Sequence, residues 1–247
     1  MINVDAIQSN LVTGNIILLD EVDSTNDYAK KNSLRHGDVV IALKQTAGKG
    51  RLGRQWNSDG GIALTVCVQP EEITENVAVL SLVFATAVCE VIRENFNIDC
   101  MIKWPNDIVV NSKKLCGILT EAVTENNKIT KIVCGAGINI YNEMFDGELT
   151  KKATSLYLEG QKNVDINKMT ADIVNKFISY KLELPETFKT LCLTVGKKVT
   201  VVKPNECYEA TAIDVSDDGC LIVKTSDGAT VKVMSGEVSV RGIYGYV

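Results

Sequence analysis

Residues 48–56, Gly-Lys-Gly-Arg-Leu-Gly-Arg-Gln-Trp, interleave three cations with three glycines ahead of a tryptophan. Glycines let the backbone turn successive N–H groups toward one point, and Lys49, Arg51 and Arg54 can ring that point with positive charge. Such a loop suits a phosphate or a carboxylate. By itself it reads as a solvated basic turn. Four more segments accompany it: Asp23-Ser24-Thr25-Asn26 upstream, and Lys103-Trp104-Pro105-Asn106-Asp107, Lys114-Leu115-Cys116-Gly117-Ile118-Leu119 and Gly135-Ala136-Gly137-Ile138-Asn139 downstream.

Each of these residues also has an ordinary structural use. Ser24 and Thr25 can cap a helix, Gln45 can end a strand, and Lys114 beside Lys113 can be a solvated turn pair. Trp56 and Trp104 can be core, with Pro105 ending a strand, whereas Asn106 and Asp107 are polar groups entering an apolar run. His36 is the single histidine, so a histidine triad or histidine metal site is close to excluded and the chemistry must need little proton transfer.

Taken in order, the segments resemble the signature of the biotin protein ligases: a G-R-G-R-x-G-R-x-W loop, then K-W-P-N-D, K-L-x-G-I-L and G-x-G-I-N. The likeness runs from Asp23 to Asn139 and, more faintly, through the tail to Arg241. Lys49 stands where the family has its first loop arginine, which keeps the charge and loses the planar fork. The resemblance implies an α+β fold with a mixed, mainly antiparallel sheet flanked by helices, of the class II synthetase type, and a small C-terminal SH3-like β-barrel. It implies an ATP-dependent ligase that activates biotin to biotinyl-5′-AMP and passes it to a lysine of a biotin carboxyl carrier protein.

The same resemblance implies roles. Arg51 and Lys114 are the catalytic clamp on the biotin carboxylate and the phosphate it attacks. Ser24, Thr25, Gln45, Gly48, Lys49, Gly117 and Leu119 join them in holding biotin. Arg54, Trp56, Lys103, Asn106, Asn139 and Arg241 fall to ATP, and Asp107 to Mg²⁺. These residue types suit the reaction: a carboxylate arrives already ionised, and the barrier is bringing two anions together while charge builds on phosphate oxygens. Small donors and acceptors such as Ser24, Thr25 and Gln45 match a neutral urea ring.

Competing functions make separate demands. A lipoate ligase or octanoyl transferase needs an apolar acyl slot without urea-matched donors. A repressor needs an N-terminal winged helix-turn-helix, for which the 22 residues before Asp23 are too few, and the net charge of −5 supplies no field for DNA. A peptide-binding module built on the barrel leaves the clustered cations unexplained.

The 247-residue chain, 45% hydrophobic, is long enough for a main domain and a small second one, expected at 1–192 and 193–247. Eight cysteines without a Cys-x-x-Cys pair read as reduced core residues of a cytoplasmic protein, and no apolar run is long enough to span a membrane. Fold-level analogy suggests a homodimer, although the sequence carries no interface signal. Strands are expected at 16–19, 38–44, 61–69, 101–103, 107–110, 115–123 and 129–140, with a turn at 111–113. Apolar spacing of three and four predicts helices from Ser24 or Thr25 to His36, over 77–92 and over 165–181, the last followed by further helix across 182–193. Short β runs at 199–202, 208–215, 220–225 and 230–234 form the barrel.

Overall fold

The computed structural model describes the chain except residues 1, 70–76, 204–205, 236–238 and 243–247, and gives only backbone for 239–242. The elements run α1 (Val4–Gln8), β1 (Ile16–Val22), α2 (Thr25–Lys31), β2 (Val39–Gln45), β3 (Gly61–Val68), α3 (Val77–Phe96), β4 (Met101–Lys103), β5 (Asp107–Val110), β6 (Lys113–Glu125) and β7 (Lys128–Asn139). They continue with α4 (Leu149–Lys152), α5 (Ile166–Ser179), α6 (Thr187–Leu191), β8 (Lys198–Lys203), β9 (Glu206–Val215), β10 (Leu221–Thr225), β11 (Thr230–Val233) and β12 (Ser239–Gly242).

Seven strands form one sheet in the order β1-β2-β3-β7-β6-β5-β4, antiparallel throughout except for the parallel β1–β2 pair. Period-two alternation sends Cys116, Ile118, Cys134, Ala136 and Ile138 into one buried core with α3. That helix carries apolar residues on most of its surface because it is covered twice, by the sheet and by α5 and α6. Phe84 of α3 and Phe177 of α5 meet there with ring centroids 4.7 Å apart. On the opposite face α2 packs Ala29 against Val40 and Val133.

Local rules account for the junctions. Ser24 caps α2 by accepting from the Asp27 N–H at 3.4 Å, and Lys131 Nζ donates to the carbonyls of Ala29 and Lys30 at its far end. Asn111 and Ser112 have φ of 48° and 63°, and Asn126 and Asn127 of 49° and 60°, the left-handed pairs that close two-residue hairpins. The turn after β5 is therefore shorter than expected, and Lys113 belongs to β6. Residues 182–193 hold one short helix, α6, in place of a continuous helical layer. The sequence pattern also left out α1, α4 and β12, none longer than five residues.

The second sheet runs β11-β10-β9-β8-β12, all antiparallel, with β12 supplying a fifth strand beside β8. It is tied to the first by Trp104, fully buried, whose Nε1 donates to the Gly219 carbonyl at 3.0 Å and whose backbone N–H donates to Thr194 Oγ1 at 2.9 Å. All cysteines are free and buried apart from Cys207, which is exposed on β9, a correction to its reading as core. Burial pushes the Cys67 thiol up to about 11, as an inert apolar site would. Among the described residues, no helix is long and apolar enough to cross a membrane.

Candidate active site

The open face of the seven-stranded sheet, beside α2, holds a cavity of about 670 Å³. Its floor is the glycine pairing of β6 and β7, where Gly117 sits opposite Gly137 and Leu119 opposite Gly135. A Cβ on Gly137 would lie 2.3 Å from the indole of Trp56, and one on Gly117 would lie 2.9 Å from Lys114 Nζ. Trp56 and Lys114 thus rest on bare backbone, with Lys114 Nζ 5.4 Å from the indole centroid. Gly135 makes room in the same way for Asn26, whose Oδ1 would be 2.3 Å from an added Cβ.

The cationic loop folds as a miniature hairpin over this floor. The Trp56 N–H donates to the Gly48 carbonyl at 2.8 Å, the Gly50 N–H donates to the Arg54 carbonyl at 2.8 Å, and Lys49 bridges Gln55 between them. Its tip, Arg51–Gly53, turns through left-handed Leu52 and Gly53, at φ of 56° and 73°. Arg51 points back inward, donating to Asn106 Oδ1 at 3.2 Å and to the carbonyl of Ser235, in the turn after β11. Burial disfavours the charged Arg51 guanidinium, and the nearby Asp107 carboxylate works against that.

Asn106 is fixed by its own Nδ2, which donates to the Ile118 carbonyl at 2.8 Å. Next to it Asp107 pairs with Lys114 at 2.6 Å. At the other end of the cavity Gln45 Oε1 accepts from the Thr25 N–H at 2.8 Å and from its hydroxyl at 3.1 Å, and Thr65 Oγ1 lies 2.8 Å from Thr25 Oγ1 and 2.7 Å from Asn26 Oδ1. Asn139, at the end of β7, donates to the Thr154 carbonyl at 2.9 Å, so it also anchors the far wall. One end is therefore a neutral hydrogen-bonding nest, and the other is cationic.

The cavity wall brings together Ser24, Thr25, Gln45, Lys49, Arg51, Arg54, Trp56, Asn106, Asp107, Lys114, Gly117, Leu119 and Asn139. Gly48 stands behind the wall at the loop base, where a Cβ would meet the Trp56 carbonyl at 2.4 Å. Lys103 lies on β4, off the wall, and its carbonyl accepts from the Asn106 N–H. Arg241 falls on β12, and its side chain is outside the described residues. Several contributors to the cavity lie outside the sequence assignments. Asn26, 4% exposed, was visible in the Ser-Thr-Asn run, and Gly135 and Gly137 in the Gly-x-Gly run. The overhang from Asn142 to Ala153, with Met144, Phe145 and Leu149, carries no motif that could have pointed to it.

Among the described residues, no group of three or more His, Cys, Asp and Glu side chains could hold a metal ion by itself. A lone carboxylate such as Asp107 fits magnesium in the one way that needs no protein cage, with nucleotide phosphates completing the oxygen shell.

A sheet with one glycine-floored face, roofed by a basic hairpin, thus holds a single cavity with a cationic end and a neutral hydrogen-bonding end. The pattern of the Biotin/lipoate A/B protein ligase family matches residues 18–139, and that of the biotin protein ligase C-terminal domain matches 194–241. The chain is 30% identical over 254 residues to the bifunctional ligase/repressor BirA of Salmonella typhimurium, spanning 98% of this chain and 79% of that protein. It is 30% identical over 216 residues to the biotin–[acetyl-CoA-carboxylase] ligase of Mycobacterium tuberculosis, spanning 82% of this chain and 78% of that one. The biotin protein ligase of Aquifex aeolicus, solved with biotin and ATP, superposes with a TM-score of 0.83 at 30% identity, covering 93% of this chain and all of that one. The chain belongs to the biotin protein ligase family, and it is a ligase.

Proposed function

We propose that this protein joins biotin to a lysine of a biotin carboxyl carrier protein in two steps. The observation that carries the reading is the division of one cavity into a neutral hydrogen-bonding nest at Thr25 and Gln45 and a cationic end at Arg51 and Lys114. In the first step a carboxylate oxygen of biotin attacks the α-phosphorus of ATP, the bond to the β-phosphate oxygen breaks, and pyrophosphate leaves. Arg51 and Lys114 lower the repulsion between the two anions and stabilise charge on the phosphate oxygens. Arg54 takes pyrophosphate, and Asn106, Trp56 and Asn139 take the nucleotide, with Lys103 and Arg241 assigned to the same ligand. In the second step the acceptor lysine amine attacks the acyl carbon, AMP departs, and the amine loses a proton.

Ser24, Thr25 and Gln45 hold the ureido ring, Gly48 and Lys49 bring loop backbone and charge close, and Gly117 and Leu119 flank the valeryl chain. Asp107, together with the triphosphate, would hold magnesium, which would supply neutralising charge to ATP. We assign residues 1–192 to catalysis and 193–247 to the C-terminal barrel. The chain's net charge of −5 supports a ligase without operator binding, and saturable binding to duplex DNA at modest salt would overturn that part.

The test is mass spectrometry of a carrier domain incubated with the protein, ATP, Mg²⁺ and biotin. A biotinylated lysine is expected, and acylation with lipoate or octanoate in its place would overturn the reading. Arg51→Ala should weaken biotin binding or release adenylate. Unchanged biotin affinity with unchanged acceptor labelling rejects its role.

A further inference from the structure

Lys49 is the cation at which this chain departs from the arginine of the family signature, and its ammonium pairs with a carboxylate of α2. Lys49 Nζ lies 2.6 Å from Asp27 Oδ2 in the first turn of α2, where the helix N-terminus favours negative charge. Asp27 is 14% exposed at the side chain and lies off the cavity wall. Its other oxygen binds Lys30 at 2.8 Å, Lys30 binds Glu121 at 2.7 Å, and Glu121 accepts from Asn26 Nδ2 at 2.8 Å. A continuous set of contacts therefore joins the loop base to the back wall of the cavity.

The loop's internal frame consists of three backbone hydrogen bonds and one bridge, all between residues 48 and 56. None of these fixes the hairpin to the rest of the protein. Attachment to the rest of the protein comes from Arg51 at the tip, Lys49 at the base and Trp56 on the glycine floor. Lys30 and Lys49 both hold Asp27 ionised against the cost of its burial, so the pair keeps its charge.

We propose that Asp27 is a positioning residue that latches the base of the loop through Lys49, and that the latch sets how well the activated acyl phosphate is shielded from water. This rests on the ligase reading above. If the latch opens, water attacks the acyl carbon or the mixed anhydride escapes, and in both cases ATP is spent without labelling.

The experiment compares wild type, Asp27→Asn, Lys49→Ala, their double variant and Lys30→Ala. It measures amide hydrogen exchange across residues 48–56 and biotinyl-AMP released per acceptor labelled. Asp27→Asn and Lys49→Ala should each speed loop exchange and raise release about two- to fivefold, the range of a half-exposed ion pair, and the double variant should do no more. Asp27→Glu should restore most of the protection, and Lys30→Ala should leave loop exchange unchanged. The proposal is overturned if Asp27→Asn leaves exchange at wild-type values, or if its effect persists undiminished in the Lys49→Ala background. It is also overturned if Lys30→Ala loosens the loop as much. If wild type forms no biotinyl-AMP, the ligase reading fails, and the exchange arm still decides the latch.

Discussion

The paired strands β6 and β7 show two different surfaces on one backbone. Toward α3 they present Cys116, Ile118, Cys134 and Ile138, at most 1% exposed, and toward the cavity they present Gly117, Gly135 and Gly137 with Leu119. The first surface is filled to exclude space, and the second is stripped of side chains to create it. Glycine in a strand interior weakens the strand, a cost of about 0.5–1 kcal/mol each relative to alanine. The filled face carries that cost for the open one. Changes on the filled face should lower stability while sparing turnover, and changes on the open face should do the reverse.

The largest expected effect lies on the filled side. Phe177→Ala removes a fully buried ring that meets Phe84 and should lower unfolding free energy by about 3–5 kcal/mol. Acceptor labelling per folded molecule should stay near wild type. A matching fall in specific activity at a temperature where the variant remains folded would erase the distinction between the two faces.

On the open side, Lys114→Ala should reduce the first step by about 10²–10³-fold, as loss of one fixed group stabilising transition-state charge does. The Asp107 pairing is partly solvated, so the thermal midpoint should move little. Pyrophosphate release measures the first quantity and calorimetry the second. Rates within a factor of two of wild type would remove Lys114 from the chemistry.

Gly137→Ala sharpens the comparison further, because it adds one methyl group to the floor. That carbon would sit 2.3 Å from the Trp56 indole, so the ring must leave its place over β7. Catalytic efficiency with ATP should fall by about ten- to a hundredfold, the scale of an ångström-sized misplacement at a reacting site. Trp56 fluorescence should shift at the same time. An unshifted spectrum with normal kinetics would mean that the bare floor is not what seats the indole.

How much of this was readable beforehand depends on distance along the chain. The cations, the glycines and the Asn106-Asp107 pair were legible because their residue types are unusual where they stand. The long helix was legible because its spacing is regular over several turns. The Asp27–Lys49 pair was not, since it joins a helix cap to a loop on another strand end, and no local pattern encodes that meeting. The same holds for Met144, Phe145 and Leu149, ordinary apolar residues that reach the cavity because β7 ends beside it. Nothing in the sequence around Trp104 signals that its indole N–H would be spent on Gly219.

That junction gives the smallest expected effect and the one most specific to pH. The turn carrying Gly219 is held by Asp218, which accepts from Lys232 and from Ser216, and these contacts keep its carboxyl down at about 2 against an ordinary value of 3.8. A carboxyl held lower in the folded than in the unfolded chain adds stability above the unfolded value and loses it as pH falls toward the folded one. Because the group is largely solvated, its contribution should stay below about 1 kcal/mol. Asp218→Asn should therefore unfold at slightly lower urea than wild type at pH 6, and the gap should narrow steadily below pH 4. A gap that holds constant down to pH 3 would mean that the turn depends on the shape of the side chain and not on its charge. In that case the hydrogen bond from Trp104 Nε1 to the Gly219 carbonyl is held in place without help from the Asp218 charge.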